Sequence, residues 1–318
     1  MKLILDGTFE EALPEFIFHL NFNKKELPPS SLPELLEQCK SDKILWEKIK
    51  PAIGKRGRWL MSQNPEWKRL IALPNLNNWE TGSKEERRSI LKYFRENELT
   101  KAVELLQQTW EKESHQNRVE FLKILEINLT QNDEYFLEEC LYDNRKEVRK
   151  TASDLLAQIP DSELVERMCW RVEMAMKYEN GQLEIELPDE LDETALRDGI
   201  NPKMKSYRSG LKAGYFGQML SKVPPIRLES SFDKSPSEIL QIFAQSDWIG
   251  LLIQAVIEST TIHKNENWME AILNMWLEHE DYPIWQNPSV QKLLEVIPNK
   301  LFNEFALKSL KKTRSLLE

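Results

Sequence analysis

The stretch from Asn132 to Met168, NDEYFLEECLYDNRKEVRKTASDLLAQIPDSELVERM, decides the fold. Phe136, Leu137, Cys140 and Leu141 fall on one side of a helix, and Asp143-Asn144 supplies a polar turn. Val148, Ala152, Leu155, Leu156 and Ile159 then recur at i, i+4, i+7, i+8 and i+11, the spacing of one face of a second helix. Pro160 cannot continue that helix, and Asp161 or Ser162 is placed to cap the next. The expectation is a pair of antiparallel helices joined by a tight turn. Such a hairpin leaves an apolar face that it cannot bury alone, so it needs neighbours of the same kind.

The same grammar extends in both directions. Upstream, TGSKEERRSILKYF places Ser83 three residues before Glu86, the spacing of a capping box, and turns Ile90, Leu91 and Phe94 inward. Ala102, Val103, Leu106 and Trp110 stripe the next helix, and Val119, Leu122, Leu125 and Leu129 the one after. The helices repeat at about 30 residues per pair, within the range of helical repeat arrays. Downstream, WIGLLIQAVIES (capped by Ser246 or Asp247), WMEAILNMWLEH, SVQKLLEVI and NKLFNEFALKSLKK read as further helices punctuated by Pro283, Pro288 and Pro298. Between these two arrays the period changes to two. Val172, Met174, Met176 and Tyr178 alternate, as do Leu183, Ile185 and Leu187, with Asn180-Gly181 between them as a hairpin turn signal. The first of these arms can instead extend the preceding helix. Composition therefore divides the chain into residues 1–170, a loop-rich insertion at 171–235 and residues 236–318.

Composition agrees with a helical globular chain. Of 318 residues, 41% are hydrophobic and 30% charged, and only 10 are glycine, too few for a protein built on hairpins or phosphate-cradling loops. The formal net charge is −9, a poor global field for a nucleic-acid binder, whose affinity comes largely from phosphate neutralisation. Three isolated cysteines, Cys39, Cys140 and Cys169, suit neither a disulfide framework nor a zinc site and fit a reducing, cytoplasmic compartment. The apolar run at the N-terminus is three residues long, and the longest elsewhere, IGLLIQAVI, is broken by Gln254, so neither a leader nor a membrane span is expected.

One stretch stands apart. GKRGRWLMSQNPEWKRL, from Gly54 to Leu70, holds five cationic side chains and two tryptophans. Its GKRG matches the GxxG loop that clamps nucleic-acid backbone in KH domains, but that fold needs flanking strands and none are in sight. The helix-joint reading accounts for more letters. Gly54 ends a helix bearing Ile44, Leu45, Ile49 and Ile53, Pro65 opens another, and Trp59 and Trp67 fall at apolar helix positions. Even so, residues 40–69 carry nine basic and three acidic side chains on an acidic protein.

Taken in order, GKRGRWLMSQNPEW, NWETGSKEERRSILKYFR, LLQQTWEKE, NDEYFLEECLYDNRKEVRKTASDLLAQIPDS and RDGI (Arg197–Ile200) resemble a bacterial HEAT-like family of unknown function, over about residues 30 to 225. Genes of that family tend to lie near SWIM zinc-finger proteins, MoxR-type AAA+ ATPases and von Willebrand factor A proteins. The resemblance implies a helical-repeat adaptor with a MoxR-type AAA+ ATPase or a von Willebrand factor A protein as partner, and it carries over no catalytic residue. No GxSxG, HExxH or GxGxxG appears, and the four histidines share no metal-ligand spacing.

The expected fold is therefore mainly α, a HEAT-like α-solenoid of stacked helical hairpins with a small β-hairpin insertion. The expected function is a non-catalytic scaffold for protein–protein interaction, with no cofactor, no metal and no membrane contact. Lys55, Arg56, Arg58, Arg145, Lys146 and Arg149 are its candidate partner-binding residues. The alternative is a HEAT-like DNA-binding protein or DNA glycosylase using a basic concave groove. The acidic balance argues against it.

Overall fold

The computed structural model describes residues 12–68, 70, 76–187, 191–201, 210–279 and 283–315. The N-terminal run, Arg69, and Asp189, Glu190, Lys203, Lys205 and Arg208 of the charged middle region lie outside the described residues. The chain divides into two compact units, residues 1–77 and 78–318.

Unit 1 contains α1 (Leu13–Phe22), α2 (Leu32–Cys39), α3 (Lys43–Ile49), α4 (Gly54–Gln63) and α5 (Pro65–Lys68). Asp42 starts α3 by accepting the Leu45 N–H at 2.9 Å. Leu32, Leu35, Leu36 and Cys39 of α2 form one core with Ile17, Ile49 and Met61. Helix α3 stops at Ile49, and Gly54, at φ +63°, opens α4 after a short 3-10 turn over Lys50–Ala52, so it joins the two helices rather than ending the first. Gly57 has a different task. A Cβ there would lie 2.5 Å from Ile53 Cγ1 and 3.3 Å from Leu32 Cδ2, so its missing side chain lets α4 approach α2. The GKRG stretch is helical along its length and cannot act as a clamping loop. Gly57→Val should overpack this contact and remove about 1–3 kcal/mol from unit 1. Denaturant unfolding followed by far-UV circular dichroism checks this, and an unchanged midpoint would contradict it.

Unit 2 opens with α6 (Lys84–Asn97), α7 (Leu99–Thr109), α8 (His115–Leu125), α9 (Glu134–Cys140), α10 (Lys146–Leu156) and α11 (Glu163–Ala175). Ser83 and Glu86 form the expected capping box of α6, and Ser162 caps α11. Most of the apolar stripe positions read from the sequence are buried: Ile90, Leu91, Phe94, Ala102, Leu106, Leu122 and Leu125, then Phe136, Leu137, Cys140, Leu141, Val148, Ala152, Leu155, Leu156 and Ile159, while Val103, Trp110, Val119 and Leu129 are half-buried at the edge of the core. Packing runs between helices close in chain order. Helix α6 lies against α7 and α8, α8 against α10, and α10 against α9 and α11.

The chain then forms β1 (Met176–Glu179) and β2 (Gln182–Ile185), antiparallel with Met176 opposite Ile185 and Glu179 opposite Gln182. Asn180 and Gly181 both have positive φ, 53° and 80°, as a two-residue type I′ turn requires. The hairpin is shorter than the alternation suggests. Helix α11 continues to Ala175 because Met168, Val172 and Ala175 pack into the core at helical spacing, so Val172 and Met174 are helical.

Beyond it come α12 (Glu193–Arg197), α13 (Gly210–Leu220), α14 (Pro225–Phe232), α15 (Pro236–Ala244), α16 (Ile249–His263), α17 (Glu266–Glu278), α18 (Pro288–Val296) and α19 (Asn299–Ser315). Helix α13 packs on α11 and α16, α16 on α17 and α18, and α17 on α15 and α19. The cap expected at Ser246 or Asp247 takes another form. Helix α16 starts after Trp248, and Ser246 Oγ accepts the Trp248 N–H from one turn outside. One apolar core extends from Trp79 to Ile297. Division by composition at 170 and 235 and division by packing at 77 are thus different cuts, because helices on both sides of the loop-rich region share that core.

A buried ion pair braces the first helices of unit 2. Arg95 is 0% exposed and Asp133 1%. The guanidinium donates to Asp133 Oδ1 and Oδ2 at 2.7 and 2.9 Å and to the Leu125, Ile127 and Asn128 carbonyls at 2.8–2.9 Å. Asp133 Oδ2 also accepts the Thr130 N–H at 2.9 Å. All three guanidinium nitrogens are engaged, which lets a charge sit in the core.

Candidate functional site

The RDGI stretch lies within a cluster of ion pairs in unit 2. Asp192 caps α12 by accepting the Ala195 N–H at 2.6 Å, and the chain leaves that short helix through Arg197, Asp198 and Gly199. Gly199 has φ +83°, and a Cβ there would lie 2.8 Å from Ser153 Cβ on α10. That close approach lets Ser153 Oγ donate to the Asp198 carbonyl at 2.6 Å and seats the Asp198 side chain inside the fold.

Three arginines converge on Asp198, which is 0% exposed. Arg167 donates through Nε and Nη2 at 3.0 Å each, Arg171 through Nη1 at 2.7 Å, and Arg197 through Nε at 3.1 Å and Nη2 at 2.9 Å. Arg167 and Arg171 are one turn apart on α11, so a single helix face supplies two of the three. Arg167 also reaches Glu138 on α9 at 3.0 Å. Arg197 lies over the Tyr142 ring, 5.3 Å from its centroid, and donates to Tyr142 Oη at 3.0 Å. Burial alone would raise the Asp198 pKa, but the hydrogen bonds from Arg167 and Arg171 outweigh it and hold the carboxyl below its ordinary range. Glu138 goes the other way, because its burial outweighs the pull of Arg167.

Beside this centre lies a cavity of about 420 Å³ lined by Trp170, Arg171, Met174, Leu187, Leu191 and Asp192, among others. Trp170 is 61% exposed and Met174 60%, an i, i+4 pair on α11 that forms an exposed apolar edge of the recess. Both terminal nitrogens of Arg171 are engaged, Nη1 with Asp198 and Nη2 donating to Thr194 Oγ1 at 2.8 Å, and Trp170, Met174, Leu187 and Leu191 give the cavity a mainly apolar lining. Its rim carries Glu186 and Asp192. Such a recess suits an apolar or aromatic side chain presented by another molecule. Among the described residues no group of three His, Cys, Asp or Glu is placed to hold a metal ion.

The residues singled out in the sequence fall in two places. Lys55, Arg56 and Arg58 are exposed on α4 of unit 1. Arg145 and Lys146 are exposed at the start of α10 in unit 2, where Lys146 lies 3.8 Å from Glu147. Arg149 is half-buried and engaged, donating to the Asp143 carbonyl at 2.7 Å, while the Asp143 carboxylate is taken by Arg118 at 2.6 Å. Trp59 does not occupy the apolar position assigned to it. It is 61% exposed, because Gly57 and Met61 are the residues α4 turns inward. Trp67 is half-buried and donates through Nε1 to Glu37 at 3.0 Å.

Arg167, Trp170, Arg171, Met174 and Tyr142 escape the sequence reading. The i, i+4 pairs Arg167/Arg171 and Trp170/Met174 are the signal that finds them, and it is lost once part of this segment is read with period two.

A family model described as "Family of unknown function (DUF5691)" matches residues 1–318 of the chain. No curated protein and no solved structure matches it.

Proposed function

The chain belongs to this family of unknown function, and from that premise we propose that it is a non-catalytic adaptor, a HEAT-like α-solenoid that holds a protein partner at the cavity beside α11. One observation carries the reading: Trp170 and Met174 stand exposed over an apolar recess backed by a hydrogen-bonded arginine–aspartate centre. Trp, Tyr and Arg are the residue types that dominate binding energy in protein interfaces, and here Trp170, Tyr142, Arg171 and Arg197 are linked through one hydrogen-bonded network and its adjoining cavity. The solenoid part of the proposal is supported by helices that pack mainly on near neighbours in chain order. The partner implied by the sequence resemblance is a MoxR-type AAA+ ATPase or a von Willebrand factor A protein. A cytoplasmic setting suits Cys39, Cys140 and Cys169, all free thiols and all buried. No described helix is long and apolar enough to cross a membrane.

The test is affinity capture from the native host with tagged wild type, Trp170→Ala and Met174→Ala, read by quantitative mass spectrometry. An interface hot spot contributes about 2 kcal/mol or more, roughly a thirtyfold change in affinity. A protein captured by wild type should therefore be nearly lost from Trp170→Ala. Identical capture profiles would refute the proposal, as would turnover of a small molecule at this cavity.

A further inference from the structure

We propose that the outer face of α4 in unit 1 is a second docking surface, and that its occupant is an acidic protein segment carrying an apolar or aromatic side chain. Lys55, Arg58, Trp59 and Ser62 follow at i, i+3, i+4 and i+7, one stripe of the helix, with Arg56 on its flank. Gly54, Gly57 and Met61 occupy the opposite, buried side.

The cations of this stripe are available. Lys40, close by in sequence, is held by both Glu37 and Glu66. Lys55, Arg56 and Arg58 are exposed and have no carboxylate partner among the described residues. Trp59 stands between them with most of its indole in solvent. An exposed tryptophan on the same stripe as Lys55 and Arg58 offers a partner two complementary terms at once, apolar burial and charge pairing.

The size and sign of the patch select the occupant. Residues 55–62 of a helix span only about 12 Å, and three cations neutralise only a few charges. A nucleic acid would extend its charge well past a patch this short. A short acidic segment of a protein ends its charge where the patch ends, and its apolar side chain can cover Trp59. The inference does not depend on the cavity beside α11, because none of its residues is shared with that site.

The probe is a short capped peptide of glutamates and aspartates around one central leucine, titrated calorimetrically into the full chain. Binding should weaken at least tenfold, about 1.4 kcal/mol, in Lys55→Ala/Arg56→Ala/Arg58→Ala and again in Trp59→Ala. Arg145→Ala/Lys146→Ala should bind like wild type. Replacing the leucine of the peptide by serine should weaken binding with wild type and leave the residual affinity of Trp59→Ala unchanged. Raising salt from about 10 to about 150 mM shortens the screening length from about 30 to about 8 Å and should weaken binding several-fold. Because all four α4 side chains are exposed, the variants should melt like wild type, which separates lost binding from lost fold. No binding of the peptide to wild type would overturn the proposal, and so would equal binding to the triple variant. Tighter binding of an oligothymidylate of equal charge, lost in the same variants, would assign the face to single-stranded nucleic acid instead. A concentration-dependent dimer abolished by the triple variant would assign it to a second copy.

Discussion

Asp133→Ala is expected to remove about 3–5 kcal/mol of stability from unit 2, because it leaves the Arg95 guanidinium buried without its counter-charge. Arg95 has no route to water: its side chain is 0% exposed and three of its contacts are backbone carbonyls that hold it in place. Those carbonyls lie at the turn between α8 and α9, so the arginine of α6 also fixes how the next helices leave their predecessors. For a unit of this size the loss corresponds to a fall in melting temperature of roughly 6–20 °C. Arg95→Ala should be similarly damaging, since it strands Asp133 and three carbonyls. The double variant should cost less than the sum of the two singles, because each single already includes the penalty of an unpaired charge. Thermal unfolding of the four species checks this cycle. Additive losses, or a single-variant shift within about 2 °C, would contradict it.

Asp198→Ala should be comparably destabilising, about 3–5 kcal/mol, because it removes the buried carboxylate that bonds three arginines, leaving Arg171 with Asp192 at 3.9 Å and Arg167 with Glu138 and Glu163. This site also makes a prediction in pH. The folded-state pKa of Asp198 lies below its ordinary 3.8, so its contribution is present above that value and is lost as pH falls through the lower, folded value. Glu138 acts with the opposite sign. Its folded pKa is raised above 4.5, so the folded state takes up its proton first and gains from acid in that range. Comparing wild type with Asp198→Asn separates the two. Wild type should lose stability more steeply below about pH 4, and Asp198→Asn should be flatter there. Parallel curves would show that the carboxylate is not the charge that holds the three arginines.

The helical hairpins are legible in the sequence because a period of 3.6 and good caps report a local choice. Ser83 with Glu86, Ser162 and Pro160 delimit helices at short range, and the stripes through Val148 to Ile159 are buried as their spacing requires. The hairpin turn at Asn180-Gly181 is legible for the same reason, since both residues tolerate positive φ. What resists reading depends on contacts far apart in the chain. Arg95 looks like one more surface cation on a charged helix, and only the turn around Asp133, 38 residues later, makes it a core residue. Asp198 looks like a loop acid until α9, α11 and α12 bring Glu138 and three arginines around it. The same limit explains Trp59. Its spacing fits an apolar position, but two glycines allow α4 to pack through its backbone and leave the tryptophan outside.

The adaptor reading rests on a partner occupying the recess beside α11, and hydrogen–deuterium exchange of the captured complex tests that most directly. Exchange of the chain alone and in complex is compared peptide by peptide. Protection on binding should concentrate in the segments carrying Trp170 to Ala175, Glu186 and Leu187, and Leu191 to Ala195, which contribute lining residues to the cavity. It should be absent when Trp170→Ala is mixed with the same partner at the same concentration. A complex that forms without slowing exchange in those segments, or that protects them equally in Trp170→Ala, would contradict the account.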